Sequence, residues 1–397
     1  GANSVAGNTV LGESALDDSV SGGNNTAIGK SALTDLTSGT DNTAVGRASL
    51  EQLTTGTQNT AIGSGALDSN TTASFNTAVG YNALSSNITG VDNTAVGRAS
   101  LSSNTGSDNT AVGKGALKVN TSANNNTAVG SAALFSNTTG TANVAVGLSA
   151  SQDNTTASNN TSVGFQSLKD TTTGDSCVAI GSSALRSNTT ANHNVAVGRS
   201  SLITNTEGTR NVAIGSFSLE NNTTANNNTA IGYEALEENT SGTANVAVGT
   251  FALDKNTTAN NNTALGYAAL SANTTGTANV AVGANALDDS PTGSNNTALG
   301  YNSLTANTTG TQNVAVGSLA LDANTTANDN TALGYNTLGA NTTGAGNVAV
   351  GSLCLDANTT GAGNVGLGNG ALGANTTASN NTGLGHVALL SNTTGTQ

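Results

Sequence analysis

The sequence predicts an all-β fold, a parallel β-solenoid of 23 coils, each about seventeen residues long. Three observations predict it. A phrase typified by NTALGYAALSANTTGTA at 262–278 recurs from Asn8 to the C-terminus without a linker. Within it Gly, a branched aliphatic, Leu and Asn keep fixed places. The composition also leaves no bulk for an ordinary globular core: 50 of 397 residues are Gly, aromatics are 3% and charged residues 8%. A 17-residue unit is too short for two helices with their connections, and Gly, Asn, Thr and Val disfavour helix.

Counting from the leading Asn as position 1, coils begin at Asn8 and then at every seventeenth residue, with Cys177 once in place of Asn. One coil, 93–108, is a single residue short, and 1–397 reads as one continuous repeat domain. The short coil reads SSNTGSDN at 102–109 where its neighbour reads SSNITGVDN at 85–93, which places a turn at the NTTG-like stretch. Position 5 is Gly in all 23 units, position 4 is Val, Ile or Leu, position 9 is Leu in 22 and position 12 is Asn in 18.

Each element follows from these places. Positions 2–4 alternate Thr/Val, Ala and aliphatic, the period of a short strand. The Gly that follows (Gly249, Gly266 and Gly283, for example) ends it where the backbone needs a tight corner. A second strand is expected at positions 7–10 around Ala-Leu, and NTTG or NTTA turns the chain back. Stacked coils place equivalent residues about 4.8 Å apart. Asn at position 1 (Asn245, Asn262, Asn279, Asn313) and at position 12 should then form ladders, amide to amide. Period-2 logic puts positions 2 and 4 inward with Leu at 9, so Val248, Leu253, Leu265 and Leu270 are expected in the core. Ala at positions 3 and 8 then faces outward. A solvent-facing row has no reason to stay that small, so at least one Ala face is expected to pack on another chain.

NVAIG at Asn211–Gly215, CVAIG at Cys177–Gly181 and NVAVG at Asn245–Gly249 resemble the head repeat of trimeric autotransporter adhesins. The NTAVG…AL…NTTG units are similar to those of bacteriophage tail-fibre shafts. The resemblance covers the whole chain. It implies a left-handed β-roll, three chains side by side, and attachment to cells or matrix. The coils here are longer than that family's, and no neck, heptad stalk, membrane anchor or fibre chaperone domain accompanies them.

The chemistry-bearing residues are few. With a net charge of −13 and ten Lys plus Arg, the chain lacks the clustered cations that nucleic acid requires. Cys177 and Cys354 stand in no metal-ligand spacing and are expected to be free thiols. His193 and His386 lie eleven coils apart with no partner acid or thiol, so no metal, cofactor or catalytic triad is expected. No apolar run is long enough to span a membrane. Acids gather at position 10, and from Asp254 onward they occupy every second coil (Asp254, Asp288, Asp322, Asp356), which spaces like charges about 9.6 Å apart on a wet edge. All five tyrosines occupy position 6, four of them (Tyr233, Tyr267, Tyr301, Tyr335) at two-coil intervals. They form either a surface row able to stack on sugar rings or a corner packing along the stack.

The expected function is the shaft or head of an extracellular homo-oligomeric fibre, trimeric by resemblance, at a cell surface or on a virion, with a host-surface or glycan receptor. A self-assembling extracellular filament fits the same residues. An ice-binding solenoid is the alternative from another class, resting on stacked Thr at positions 13 and 14, such as Thr257-Thr258 and Thr274-Thr275.

Overall fold

The computed structural model describes residues 5–18 and 20–395. Among them the secondary structure is 23 strands of three residues joined by turns, with no helix. The fold is a parallel β-solenoid. The chain groups into two compact units, Gly1–Ala196 and Val197–Gln397. In the first, β1 (Thr9–Leu11) to β11 (Val178–Ile180) pair in parallel, each with the strand one coil on. In the second, β13 (Val212–Ile214) to β23 (Thr382–Leu384) do the same. β12 (Val195–Val197) contains the boundary.

Register is one repeat per step: Val146 lies opposite Val163, and Thr263, Ala264 and Leu265 lie opposite Val280, Ala281 and Val282. The short coil keeps it, with Thr94 opposite Thr110. Its missing residue is absorbed in the turn. Asn104 Nδ2 donates to Gly106 O two residues on (2.7 Å), where Asn120 Nδ2 reaches Ala123 O three residues on (3.0 Å).

The segment at positions 7–10 is not a strand. It is a run of turns in which positions 7 and 9 both take the left-handed conformation, as in Ala268 (φ 49°) and Leu270 (φ 55°). Ala269 N–H bonds back to Gly266 O and Asn273 N–H to Leu270 O, closing two successive turns. The Ala268 N–H reaches the preceding coil at Thr250 O, and the Leu270 N–H reaches the next at Ala286 O. Backbone polar groups are therefore satisfied without a second sheet. Left-handed Leu costs about 1 kcal/mol or more, because its Cβ crowds the following carbonyl. It is held there by the burial of its side chain.

This alternation of hand overturns the expected faces. In a strand, positions 8 and 9 would point to opposite sides; here Ala269 and Leu270 are both fully buried. With two side chains per coil already inward from that segment, only a methyl fits at position 3. Ala264 is accordingly buried, and the strand's larger residues face out. Leu253 and Leu270 are in the core. Val248 is only partly buried and Leu265 is 47% exposed, so these two are outer-face residues, not core. The Ala rows at 3 and 8 line the interior, so neither is a face on which another chain could pack.

Two local exchanges show how tight position 3 is. Where Cys354 replaces Ala at position 8, position 3 of the next coil is Gly366, and a Cβ there would stand 2.5 Å from Cys354 Sγ. Where Ser151 replaces Leu at position 9, position 3 of the next coil is Ser162, and the two hydroxyls bond at 2.8 Å. A polar intruder in the core is matched by a partner, as burial requires.

Buried Asn completes the interior. Asn245, Asn262, Asn279 and Asn313 are all fully buried. The Asn262 N–H donates to Asn245 Oδ1 (2.9 Å), and Asn262 Oδ1 in turn accepts from the Asn279 N–H (2.9 Å). Asn262 Nδ2 donates to Gly276 O across the coil (2.8 Å). Asn313 N–H likewise meets Asn296 Oδ1 at 3.0 Å. At position 12 the bonds run amide to amide, as from Asn273 Nδ2 to Asn256 Oδ1 (2.9 Å).

Three oxygens of the second ladder are buried without a partner; Asn375 Oδ1, whose next coil keeps Asn392, has no such local explanation, but the other two do. Asn154 Oδ1 and Asn273 Oδ1 are buried without a partner, and in each case the next coil carries Thr171 or Ser290 instead of Asn. Thr171→Asn is expected to stabilise the first unit by about 1–3 kcal/mol, the cost of one unsatisfied buried acceptor. A rise in the urea midpoint checks this; an unchanged or lower midpoint contradicts it.

Candidate functional site

With Ala inside, the outer face of the sheet carries the chain's larger aliphatics. Over four coils the exposed group alternates between positions: Val246 (38%) at position 2, Leu265 (47%) at position 4 of the next coil, then Val280 and Leu299. The first unit shows the same face in Ile62, Val96, Val112, Val129 and Val144. The strip is the chain's most extended run of exposed aliphatic side chains.

A second feature runs along position 6. Tyr233 and Tyr267 interleave with Phe217 and Phe251, which sit at position 7 of the alternate coils. Successive rings meet edge to face, with centroids 5.9, 5.8 and 5.9 Å apart. Arg199 caps the row over Phe217 at 5.3 Å. Each such pair contributes about 0.5–1.5 kcal/mol beyond its buried area. Tyr267, Tyr301 and Tyr335 are more than half exposed. The tyrosine row is therefore both a packing ladder and a surface. The phenylalanines were missed in the sequence, although they too stand two coils apart; the signal lay in reading positions 6 and 7 of neighbouring coils together.

The acidic row lies half in the wall. Desolvation raises the carboxyls of Asp68, Glu220, Glu237, Asp254, Asp288, Asp322 and Asp356 above the ordinary range. In one intervening coil Ser271 hydrogen-bonds Asp288. Lys255 bridges Glu238 (2.8 Å) and Asp254 (3.5 Å). Among the described residues no three His, Cys, Asp or Glu side chains converge as metal ligands would. Cys177 and Cys354 are free, buried thiols, each pushed up to about 11 by desolvation. Cys177 replaces an Asn of the first ladder and keeps part of its bonding: its N–H donates to Asn160 Oδ1 (2.8 Å), and its thiol donates to Ala191 O (3.4 Å). His193 sits on the left-handed residue preceding Asn194 and His386 on position 6.

The Thr columns differ from one another. Position 13 hydroxyls donate along the stack, as Thr257 Oγ1 does to Thr274 O (3.2 Å), while Thr258 is exposed. Gly249, Gly266 and Gly283 all take φ between 133° and 142° at the end of their strands. Among the described residues no helix is long and apolar enough to cross a membrane. No family model matches the chain, and no curated protein matches it either.

Proposed function

We propose that the chain is the shaft of an extracellular fibre used for attachment, built from identical chains, three by resemblance, that meet side by side through the outer face of the sheet. The observation that carries this reading is the aliphatic row at positions 2 and 4, exposed along both units. Its occupant is a second copy because the row repeats with the coil: a chain presenting alternating Val and Leu knobs at about 4.8 Å steps matches another with the same steps. The acidic row and the tyrosines lie at other positions of the coil and stay available to solvent or receptor. Ice binding has less support, since one of the two Thr columns spends its hydroxyl donors on backbone carbonyls.

Native mass spectrometry should find a trimer. Leu265→Glu combined with Leu299→Glu should release monomers with an unchanged β-type circular dichroism spectrum. A monomeric wild type would sink the fibre reading, and an open-ended size distribution would replace the closed trimer with a filament.

A further inference from the structure

The basic residues are not spread evenly. Of five lysines, Lys30, Lys169 and Lys255 have carboxylate partners within hydrogen-bonding reach. The other two, Lys114 and Lys118, stand in one notch of the first unit with Arg98, and among the described residues none of the three makes an ion pair. Arg98 and Lys114 occupy position 6 of adjacent coils. Their register is fixed by the bonds from Gly115 N–H to Arg98 O (3.0 Å) and from Ala132 N–H to Lys114 O (3.0 Å). Two cationic residues thus stand on coils stacked about 4.8 Å apart, with a third beside them and, among the described residues, no ion-pair partner. All three side chains are exposed, and together they make a local positive patch that attracts an anion.

The notch also has an aromatic wall. Phe135 is the one aromatic at position 10, and Lys118 Nζ lies 5.2 Å from its ring centre. The ring lies over Gly115, where a Cβ would touch its edge carbons at 3.4 Å. Position 7 is Gly in only three coils, so this glycine opens the notch that a side chain would fill. The cavity measures about 210 Å³. The acidic row of position 10 is interrupted here: no acid occupies that position between Asp68 and Glu220.

We propose that this notch binds a single anionic sugar unit of a polysaccharide, its carboxylate or sulfate held by Arg98, Lys114 and Lys118 and its ring face against Phe135. A sugar is favoured over a nucleic acid strand because the cations end within two coils, leaving no basic track for further phosphates. The volume suits one ring, below that of a typical drug-sized pocket. One site per chain in an oligomer would add avidity. The site deepens the attachment role proposed above but stands on other residues, so native mass and ligand titration report on the two separately.

Calorimetric titration of the full chain tests it, with a galacturonate hexamer, a sulfated hexasaccharide and the neutral glucose hexamer as probes. One or both acidic probes should bind and the neutral one should not; the tighter acidic probe distinguishes carboxylate from sulfate. Lys114→Gln with Lys118→Gln should weaken binding at least about tenfold, the value of a lost charge-assisted bond. Phe135→Ala should weaken it severalfold, whereas Lys118→Arg should restore most of it; thermal melts confirm that each variant folds. Failure of both acidic probes, unchanged binding in the double Gln variant, or a hexamer of single-stranded DNA binding more tightly than either sugar would overturn the assignment.

Discussion

Gly266→Ala is expected to destabilise the second unit by about 2–6 kcal/mol, although it adds one methyl group. Gly266 has φ 142°, a region that residues with a Cβ rarely enter, and that strain costs about 1–3 kcal/mol. The new Cβ would also stand 2.5 Å from the carbonyl oxygen of Gly283 and 2.6 Å from its carbon. Both are backbone atoms held in the inter-coil ladder, so relief needs the coils to part, at a further cost of about 1–3 kcal/mol. Gly346→Asn is the control. Gly346 is left-handed (φ 68°) with nothing within 4 Å of an added Cβ, at a position where other coils carry Asn. That exchange should be neutral or slightly stabilising. Urea midpoints for the two variants check the contrast, and a Gly266→Ala cost under about 1 kcal/mol contradicts it. Because each coil contacts only its neighbours, hydrogen exchange should quicken locally around Val248–Val282.

The fold was legible because repetition is itself a geometric statement. Gly at position 5 in every unit, the 17-residue step and its one 16-residue lapse established the stacking, the corner and the turn. The direction of the side chains was not legible. Alternation at positions 2–4 defines two faces without saying which is inside, and bulk at Val248 and Leu265 pointed the wrong way. The deciding fact was conformational: Leu270 and its equivalents are left-handed, which brings positions 8 and 9 to the same side and leaves room for only Ala at position 3. Leu is so rarely left-handed that no propensity rule anticipates it. The pairs Ser151–Ser162 and Cys354–Gly366 did carry the signal, since each links an inward position to position 3 of the next coil.

The candidate surfaces follow from the same inversion. Once Ala is inside, the aliphatic strip becomes the exposed face, and the chain association we propose rests on that strip and not on the Ala rows that first suggested it. The tyrosine row was visible at single positions, while its Phe217 and Phe251 partners required reading two positions across a coil boundary. The basic notch was hidden for a different reason. Arg98, Lys114, Lys118, Gly115 and Phe135 span three coils, and only stacking makes them neighbours.

The buried ladder makes the sharpest demand on chemistry. Asn262→Ala is expected to cost about 1–3 kcal/mol, because it strands the buried Asn279 N–H, while the Gly276 carbonyl loses one of two donors and keeps Asn273 Nδ2. Asn262→Asp separates shape from hydrogen bonding. Its carboxylate still accepts from Asn279 N–H, but it cannot donate to Gly276 O and would carry a charge into a fully buried site. Burial therefore raises the folded-state pKa of that carboxyl above its unfolded value of about 3.9. The sign follows: below the unfolded pKa both states are protonated, the acid hydroxyl can donate to Gly276 O, and the variant should approach wild-type stability. As pH rises through the folded pKa that stability is lost, and at pH 7 the variant should fall at least about 3 kcal/mol below wild type. Urea unfolding of the wild type and both variants from pH 3 to pH 8 decides the matter. A pH-independent difference between the Asn262→Asp variant and the wild type, or an alanine cost below about 1 kcal/mol, would mean that the amide spine is a passenger of the stacking and not one of its causes.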